Sequence, residues 1–293
     1  MDYIPVKTIV THVKDHGWFG IDYNMNIYRG CSHGCIYCDS RSLCYRVENF
    51  DTIRAKEDAL RIIKNDLLKK RKRGVIGTGA MSDPYNPLER EHKLSRNSLE
   101  LINAYRFGIA IATKSLLVCR DADILKDIQV HSPVLVKMTI TTGDDNLCKI
   151  VEPNAPLSSE RFSAVKELSS NGVYTGVLMM PLLPFIEDTE ENIISIVNKA
   201  KESGARFVYA AIGMTLRAGN REYYYEQLDK HFPGIKERYI KKYGERYNCT
   251  SPNVKRLWNI FTNECQKHGL RYTMKDIIID YKRGYTAKQL ELF

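Results

Sequence analysis

The sequence predicts an α/β protein built on one parallel sheet, and three observations support this fold class. Strand-like and helix-like segments alternate along the chain, and six such pairs follow one another. Consecutive parallel strands that are joined by helices need right-handed crossovers, so six pairs imply one sheet with helices packed against it. The 293 residues, 43% of them hydrophobic, can bury one sizeable core, although two domains are the alternative at this length.

Short apolar runs mark the six predicted strands. They are bounded by glycine, proline or polar residues, and the fourth is especially rich in β-branched residues, as is typical of buried strands. We place these strands at residues 26–30, 75–77, 109–113, 134–141, 173–180 and 206–212. The helices between them repeat apolar residues every three or four positions. We place these helices at residues 52–70, 95–105, 121–129, 158–170 and 189–203.

A different pattern follows the sixth strand. Charged helices with interleaved aromatic and basic residues run from Arg221 to Trp258. Cations that neutralise phosphates and rings that stack on bases would suit nucleic acid, and tyrosines at helical spacing would equally suit packing. We therefore divide the chain into a core at residues 1–215, a helical extension packed on it at residues 216–284 and a tail at residues 285–293.

The loop after the first predicted strand carries three closely spaced thiols, in the pattern C-x3-C-x2-C: Cys31, Cys35 and Cys38. Gly30 and Gly34 supply the positive backbone angles that a tight loop needs. Thiolates select zinc or iron–sulfur clusters, and both usually take four ligands. No second C-x2-C pair is present, so three thiols with a missing fourth ligand indicate a [4Fe–4S] cluster with one open iron. A zinc site that draws on Cys44 or His33 as its fourth ligand is the alternative.

With Tyr37 directly before the last thiol, this spacing closely resembles the signature of radical S-adenosylmethionine enzymes. The resemblance implies that the open iron binds S-adenosylmethionine and that reductive cleavage of this cofactor yields a 5′-deoxyadenosyl radical. It also implies a partial (β/α)6 barrel, with its chemistry at the C-terminal ends of the strands. Tyr37 would belong to the cofactor-binding residues, and a reductase such as flavodoxin or ferredoxin would supply the electron.

A distinctive loop follows the second predicted strand. Its segment Ser-Asp-Pro-Tyr-Asn-Pro, residues 82–87, resembles the corresponding segment of the spore photoproduct lyase-like group, also called DNA repair photolyase-like proteins. The resemblance implies that Ser82 contacts the methionyl amine of the cofactor. A proline-fixed turn that is capped by Asp83 is the alternative.

The ends of the third and fourth predicted strands carry further candidates. The resemblance implies that Lys114 pairs with the cofactor carboxylate, and that a hydroxyl of Thr139 or Thr141 reaches the ribose. A solvent-facing lysine and ordinary strand threonines are the alternatives. Residues 152–156 and Arg161 also resemble this group, and we assign that segment to positioning rather than to chemistry.

One position departs from the group. Spore photoproduct lyase proper carries a hydrogen-donating cysteine two positions before the serine of the second-strand loop, where this chain has Ala80. Without that thiol a substrate radical would not be quenched in the same way, so we do not expect reversal of the thymine photoproduct. We predict a radical enzyme with lyase-like chemistry in DNA repair or modification. The alternatives are the same chemistry on another substrate, an electron carrier, and a zinc-dependent nucleic-acid-binding module.

Two further features favour DNA as a partner. The net charge of +9 suits polyanions. The end of the tail resembles the peptide that binds the bacterial sliding clamp, whose pattern is Gln-Leu-x-Leu-Phe, through four residues: Gln289, Leu290, Leu292 and Phe293. We also expect a cytoplasmic protein, because the thiol triplet needs reducing surroundings and no apolar run reaches the length of a signal peptide or a membrane span.

Overall fold

The computed structural model describes residues 2–285. The strands of this part of the chain are β1 (Asp2–Ile4), β2 (Val10–His12), β3 (Tyr23–Met25), β4 (Tyr28–Arg29), β5 (Arg54–Lys56), β6 (Val75–Thr78), β7 (Gly108–Thr113), β8 (Val134–Thr139), β9 (Thr175–Met179), β10 (Val208–Ala210), β11 (Gly213–Thr215) and β12 (Asn248–Thr250). The α-helices are α1 (Ala59–Leu68), α2 (Glu89–His92), α3 (Leu94–Ala104), α4 (Ala122–Gln129), α5 (Asp145–Val151), α6 (Ser158–Ser170), α7 (Glu190–Glu202), α8 (Asn220–His231), α9 (Ile235–Tyr243), α10 (Val254–Lys267) and α11 (Met274–Tyr281).

Six parallel strands form the central sheet, in the spatial order β3, β6, β7, β8, β9 and β10. β2 adds an antiparallel strand beside β3. β2 and β10 are the two edges of this sheet, so it is an open partial barrel. Helices connect the parallel strands, which confirms the predicted α/β fold class.

The first parallel strand lies earlier in the chain than we predicted. β3 covers residues 23–25, whereas the predicted range 26–30 contains β4, which pairs with β5 in a separate three-stranded sheet. The same pairing explains why the helix predicted at residues 52–70 begins only at Ala59, because its first residues form β5 instead. Two neighbouring extended segments look alike in sequence, and their distant pairing partners decide which one joins the central sheet.

The two faces of the central sheet have different coverings. Helices α3, α4, α6 and α7 pack on the outer face, and α10 packs in turn on α7. On the inner face, Ala110 and Leu135 meet a cluster that contains Phe19, Phe207 and Ile277. The hydroxyl of Tyr281 on α11 donates a hydrogen bond to the carbonyl oxygen of Phe19 at 2.6 Å. The loop before β3 and α11 therefore close the N-terminal end of the barrel, opposite the cysteine loop.

The segment after β11 is mainly helical and packs on the core through aromatic side chains. Tyr224, Tyr239 and Tyr243 are buried, and the Tyr239 ring contacts the other two in the cluster that also covers the cysteine loop. Packing therefore accounts for these three tyrosines, which are not free to stack on bases. Tyr247 and Trp258 remain 42% and 40% exposed. No helix within residues 2–285 is long and apolar enough to cross a membrane.

Candidate active site

The cysteine loop leaves β4 through a backbone turn that only glycine tolerates well. Gly30 has a φ angle of +83°, and a β-carbon at this position would overlap the carbonyl oxygen of Thr52. Two backbone hydrogen bonds then fix the loop: Cys31 N–H donates to the Phe50 carbonyl at 2.8 Å, and Ile36 N–H donates to the Val151 carbonyl at 3.0 Å. The local sequence thus fixes the turn, and distant segments hold the loop in place.

The three thiols of this loop are unpaired by disulfides, and they lie in or at the edge of the core. Burial raises the pKa of the Cys31 thiol to about 11, and it also raises the pKa values of Cys35 and Cys38. Ionising these thiols therefore needs a compensating cation, which iron supplies. Within residues 2–285, no three His, Cys, Asp or Glu side chains lie close enough together to hold a single metal ion. Three thiols on one loop form the ligand set that the sequence predicts for a [4Fe–4S] cluster.

The fourth ligand of the alternative zinc site would come from Cys44 or His33. Cys44 is exposed, and its sulfur lies 3.5 Å from a guanidinium nitrogen of Arg217. His33 is buried, with its Nδ1 3.8 Å from a carboxylate oxygen of Asp83. Each side chain thus has a neighbour of its own outside the thiol triplet.

Glu152 is the centre of a buried polar network beneath the cysteine loop. Its carboxylate accepts a hydrogen bond from the Tyr37 hydroxyl, forms an ion pair with Arg161 and lies 3.7 Å from the Lys114 ammonium. Burial would raise the pKa of Glu152, but Arg161 and Lys114 outweigh it and hold this pKa below its usual range. The segment that we assigned to positioning therefore connects the loop, the third barrel strand and α6.

Lys114 lies near both the thiols and this carboxylate. Burial would lower its pKa, but Cys35 and Glu152 raise it above the usual value. Its ammonium lies 5.6 Å from the centre of the Tyr37 ring. Lys114 is therefore a charged group held beside the cluster loop, and it is not the solvent-facing lysine that was the alternative.

The loop after β6 joins the same site. The Asp83 carboxylate accepts hydrogen bonds from the Tyr85 N–H at 2.8 Å, the Thr113 hydroxyl at 2.7 Å and the Lys114 N–H at 2.8 Å. Asp83 thus caps this proline-containing turn, as the alternative interpretation proposed, and it also ties the turn to the end of β7. The Ser82 hydroxyl donates to the Gly30 carbonyl, which places it against the cysteine loop with oxygen lone pairs left to accept from an amine.

The two candidate threonines differ in their partners. The Thr141 hydroxyl donates a hydrogen bond to the Glu187 carboxyl at 2.8 Å. Thr139 instead contributes its backbone carbonyl, which accepts a hydrogen bond from Arg161 at 2.8 Å. Of the two, Thr139 is the better candidate for a ribose contact, since its hydroxyl forms no hydrogen bond within the described residues.

Sequence reasoning missed Glu187. Burial raises its pKa well above the usual value, and Thr141 and the Leu183 N–H hold it in place. One signal was available, because this carboxyl ends an apolar run directly after the fifth strand. The predicted partner-binding residues lie outside the described residues: Gln289, Leu290, Leu292 and Phe293.

A model of the Radical SAM superfamily matches residues 25–200, which is more than half of the chain. This chain belongs to the radical SAM superfamily. Its curated relatives include an uncharacterized protein of Methanocaldococcus jannaschii, 36% identical over 174 residues, where the match covers 58% of this chain and 64% of that protein. An uncharacterized protein of Mycobacterium tuberculosis is 26% identical over 244 residues, covering 81% of this chain and 72% of that protein. The chain thus spans less than two thirds of the Methanocaldococcus relative.

Solved structures with a similar fold include spore photoproduct lyase complexed with dinucleoside spore photoproduct. Its TM-score is 0.67 at 14% identity, and the match covers 91% of this chain and 79% of that chain. The radical SAM methyltransferase TsrM of Kitasatospora setae, with tryptophan substrate and a cofactor analogue bound, has a TM-score of 0.54 at 13% identity, covering 84% and 51%. At these identities the likeness concerns the fold.

The predicted cofactors follow from the family. Radical SAM proteins use a [4Fe–4S] cluster with S-adenosylmethionine, and solved structures of similar fold contain them. The residues of this chain fit both groups: a buried triplet of thiols for iron, a charged ammonium for a carboxylate and a hydroxyl oxygen for an amine. The chain is therefore a radical SAM enzyme, as the sequence predicted.

Proposed function

We propose that this radical SAM enzyme acts on nucleic acid, in a lyase-like reaction of DNA repair or modification. The observation that carries the proposal is the fold that this chain shares with spore photoproduct lyase complexed with a dinucleoside. The structural match covers 91% of this chain. The net charge of +9 supports it, because a basic protein attracts polyanions. A cytoplasmic location and a flavodoxin- or ferredoxin-like reductase are parts of the same proposal.

The residues of the site have separate roles in this proposal. The thiolates of Cys31, Cys35 and Cys38 hold the cluster. When bound, the cluster and S-adenosylmethionine supply a 5′-deoxyadenosyl radical that can abstract a hydrogen atom from the substrate. Lys114 binds the cofactor carboxylate and shares its charge with Glu152, which also orients Tyr37.

Two hydroxyls complete the cofactor contacts. The Ser82 oxygen accepts from the methionyl amine beside the Gly30 carbonyl, and the Thr139 hydroxyl contacts the ribose. Both side chains are buried, Thr139 at the end of β8 and Ser82 in the loop after β6, on the side where a barrel of this kind gathers its chemistry.

The hydrogen donor differs from that of a photoproduct lyase. Ala80 is exposed and carries no thiol, so it cannot quench a substrate radical. Of the thiols outside the triplet, Cys249 and Cys265 are buried in the core and Cys119 contacts α6. The Cys148 thiol is held within the Glu152 network. We therefore propose a reaction other than thymine photoproduct reversal.

Anaerobic reconstitution with iron and sulfide, followed by assay of 5′-deoxyadenosine release, tests this function. We expect release that depends on a reductant and rises several-fold when DNA is added. Release that is equal with and without DNA would contradict the nucleic-acid substrate, and no release from a fully loaded cluster would contradict the enzymatic activity.

A second candidate is the same chemistry on a small molecule. It is favoured by the likeness to the methyltransferase that has tryptophan bound as substrate. The same assay distinguishes the two, because a small-molecule substrate would raise 5′-deoxyadenosine release in a cell extract from which nucleic acid has been removed by nuclease.

A further inference from the structure

A lysine that belongs to none of the sites above lies inside the barrel. Lys137 is in β8, is only 2% exposed, and shares the inner face of the sheet with Leu135. Within residues 2–285 its ammonium forms no hydrogen bond and no ion pair, and it lies over the face of the Phe19 ring, 4.5 Å from the ring centre. A buried ammonium without a counter-ion is rare, because burying a charge without a partner is costly.

Small residues flank this lysine on both sides. In the register of the sheet, Lys137 pairs with Ala112 on β7 and with Gly176 on β9. A β-carbon on Gly176 would overlap the ring of Phe207, so that ring fills the space beside the lysine stem. Phe19 and Phe207 therefore form a solid layer at the N-terminal end of the barrel, next to Lys137.

The other approach to the ammonium comes from the C-terminal ends of the strands. Thr139 follows Lys137 by two residues on the same face of β8, which is a rise of roughly 6–7 Å toward the cysteine loop. Ala112, Met180 and Tyr209, which border the same inner cluster, are partly accessible and not fully buried. The lysine thus lies between the closed end of the barrel and the residues that we assign to the cofactor.

We propose that Lys137 forms the floor of the substrate pocket and that its ammonium binds an oxyanion of the substrate, a phosphate or a carboxylate group. This inference rests on the proposed function in one respect, since it takes the substrate to lie in the barrel below the cofactor. An oxyanion there forms charge-assisted hydrogen bonds with a cation that folding has already largely desolvated, so the desolvation cost of binding falls mainly on the anion.

The surroundings of Lys137 favour an anion over other ligands. Burial alone lowers the pKa of Lys137 to about 7, with no contribution from a neighbouring charge, so a bound anion would be its first counter-ion. The edge of the Trp18 ring lies against Tyr209, with ring centres 5.7 Å apart, and both rings contact Phe19. These rings offer an apolar wall for a flat group that is joined to the oxyanion.

The test uses the intact, cluster-loaded protein labelled with 13C at the ε-carbons of lysine. NMR spectra over a pH series report the pKa of each lysine, and the spectrum of Lys137→Arg identifies the Lys137 signal by its absence. We expect saturating inorganic phosphate, acetate or thymidylyl-thymidine to raise the pKa of Lys137 by at least one unit, a tenfold change in proton affinity. The first two probes distinguish a phosphate site from a carboxylate site, and the third tests a nucleic-acid phosphodiester.

Lys199 provides the matched control. Its ammonium is part-buried on the outer helix α7 and donates to the Gly143 carbonyl at 2.7 Å, so its signal should not respond to any of the probes. Lys199→Met should bind phosphate as the wild type does, whereas Lys137→Met should bind it at least tenfold more weakly. If no probe changes the Lys137 signal, the inference is wrong, whether or not the variants fold.

The inference and the proposed function can fail separately in the wild-type protein. Normal 5′-deoxyadenosine release with an unresponsive Lys137 signal would overturn only the anion site. A responsive Lys137 signal in a loaded protein that releases no 5′-deoxyadenosine would overturn the proposed function and leave the anion site standing.

Discussion

Lys137 combines two properties that seldom occur in one side chain, nearly complete burial and the lack of a counter-ion among the described residues. Because its pKa falls to about 7 in the folded state, the unfolded chain binds this proton more tightly between about pH 7 and 10.5. The buried charge therefore opposes folding fully below pH 7, and this cost disappears as the pH rises toward 10.5.

Lys137→Met should for this reason be more stable than the wild type at pH 7, by about 3–5 kcal/mol in the free energy of unfolding. The difference should shrink steadily toward pH 10. Urea denaturation of both proteins across this range measures it. A variant that is no more stable than the wild type at pH 7 would mean that the ammonium has a partner or reaches water.

The cysteine triplet leads to a second prediction for single residues. Replacing Cys31, Cys35 or Cys38 by alanine should remove the broad absorption near ~400 nm that thiolate–iron charge transfer gives. Cys44→Ala is the control, because this exposed thiol contacts Arg217 and should leave the absorption unchanged. Loss of the absorption in the Cys44 variant, or its survival in a triplet variant, would show that the ligand set differs.

Arg161 shows how much the buried network contributes to stability. Arg161→Met removes the closest counter-ion of the buried Glu152 carboxylate, and should reduce the free energy of unfolding by roughly 3 kcal/mol. Arg256→Met breaks an ion pair with Glu190, and the Arg256 side chain is 74% exposed. This change should reduce the free energy of unfolding by less than about 1 kcal/mol. Thermal unfolding of the two variants compares these costs, and equal losses would argue against a buried charge network.

At the scale of elements, the cysteine loop depends on both backbone angle and space. Gly30 and Gly172 have similar φ angles, +83° and +79°, but a β-carbon on Gly30 would overlap backbone whereas one on Gly172 meets nothing within 4 Å. Gly172→Ala should therefore reduce the free energy of unfolding by about 1 kcal/mol, because of the backbone angle alone. Gly30→Ala should reduce the free energy of unfolding further, and it should also lower the iron content after reconstitution. Equal effects of the two changes on stability and iron would show that the loop can relax around a side chain.

In the helical segment after β11, the sequence predicted the helices but not what their tyrosines contact. Its tyrosines recur at helical spacing, which predicted helices correctly but left nucleic-acid stacking and packing equally possible. In the fold, Tyr224 and Tyr239 lie against the cysteine loop, where packing uses both rings. Periodicity reports which face of a helix is apolar, and only the neighbouring element decides what that face meets.

At the scale of the whole molecule, we propose that the tail binds the bacterial sliding clamp. Deleting residues 289–293 should abolish binding to the bacterial sliding clamp, measured by fluorescence anisotropy, while cluster content stays the same. Leu290, Leu292 and Phe293 would act as apolar anchors in a groove of the clamp. Glu291→Ala is the matched control, because position 291 is the variable one in the pattern, and this variant should bind normally. Undiminished binding after the deletion would exclude this role of the tail.

Local patterns in the sequence determined the parallel α/β class, five of the six barrel strands to within a few residues, and the thiol triplet. These features depend on spacing along the chain, which the sequence displays directly. The first barrel strand was placed wrongly, because β3 and β4 differ only in their distant partners.

Only the tertiary structure brought Tyr37, Lys114 and Arg161 together around Glu152, or placed Lys137 between two small residues above Phe19. Arg161 lies on α6 and Lys137 on β8, and the other four lie in separate connecting segments. Their pKa values and their pairing depend on burial, and burial depends on which chain segments meet in space, a property that no single stretch of sequence contains.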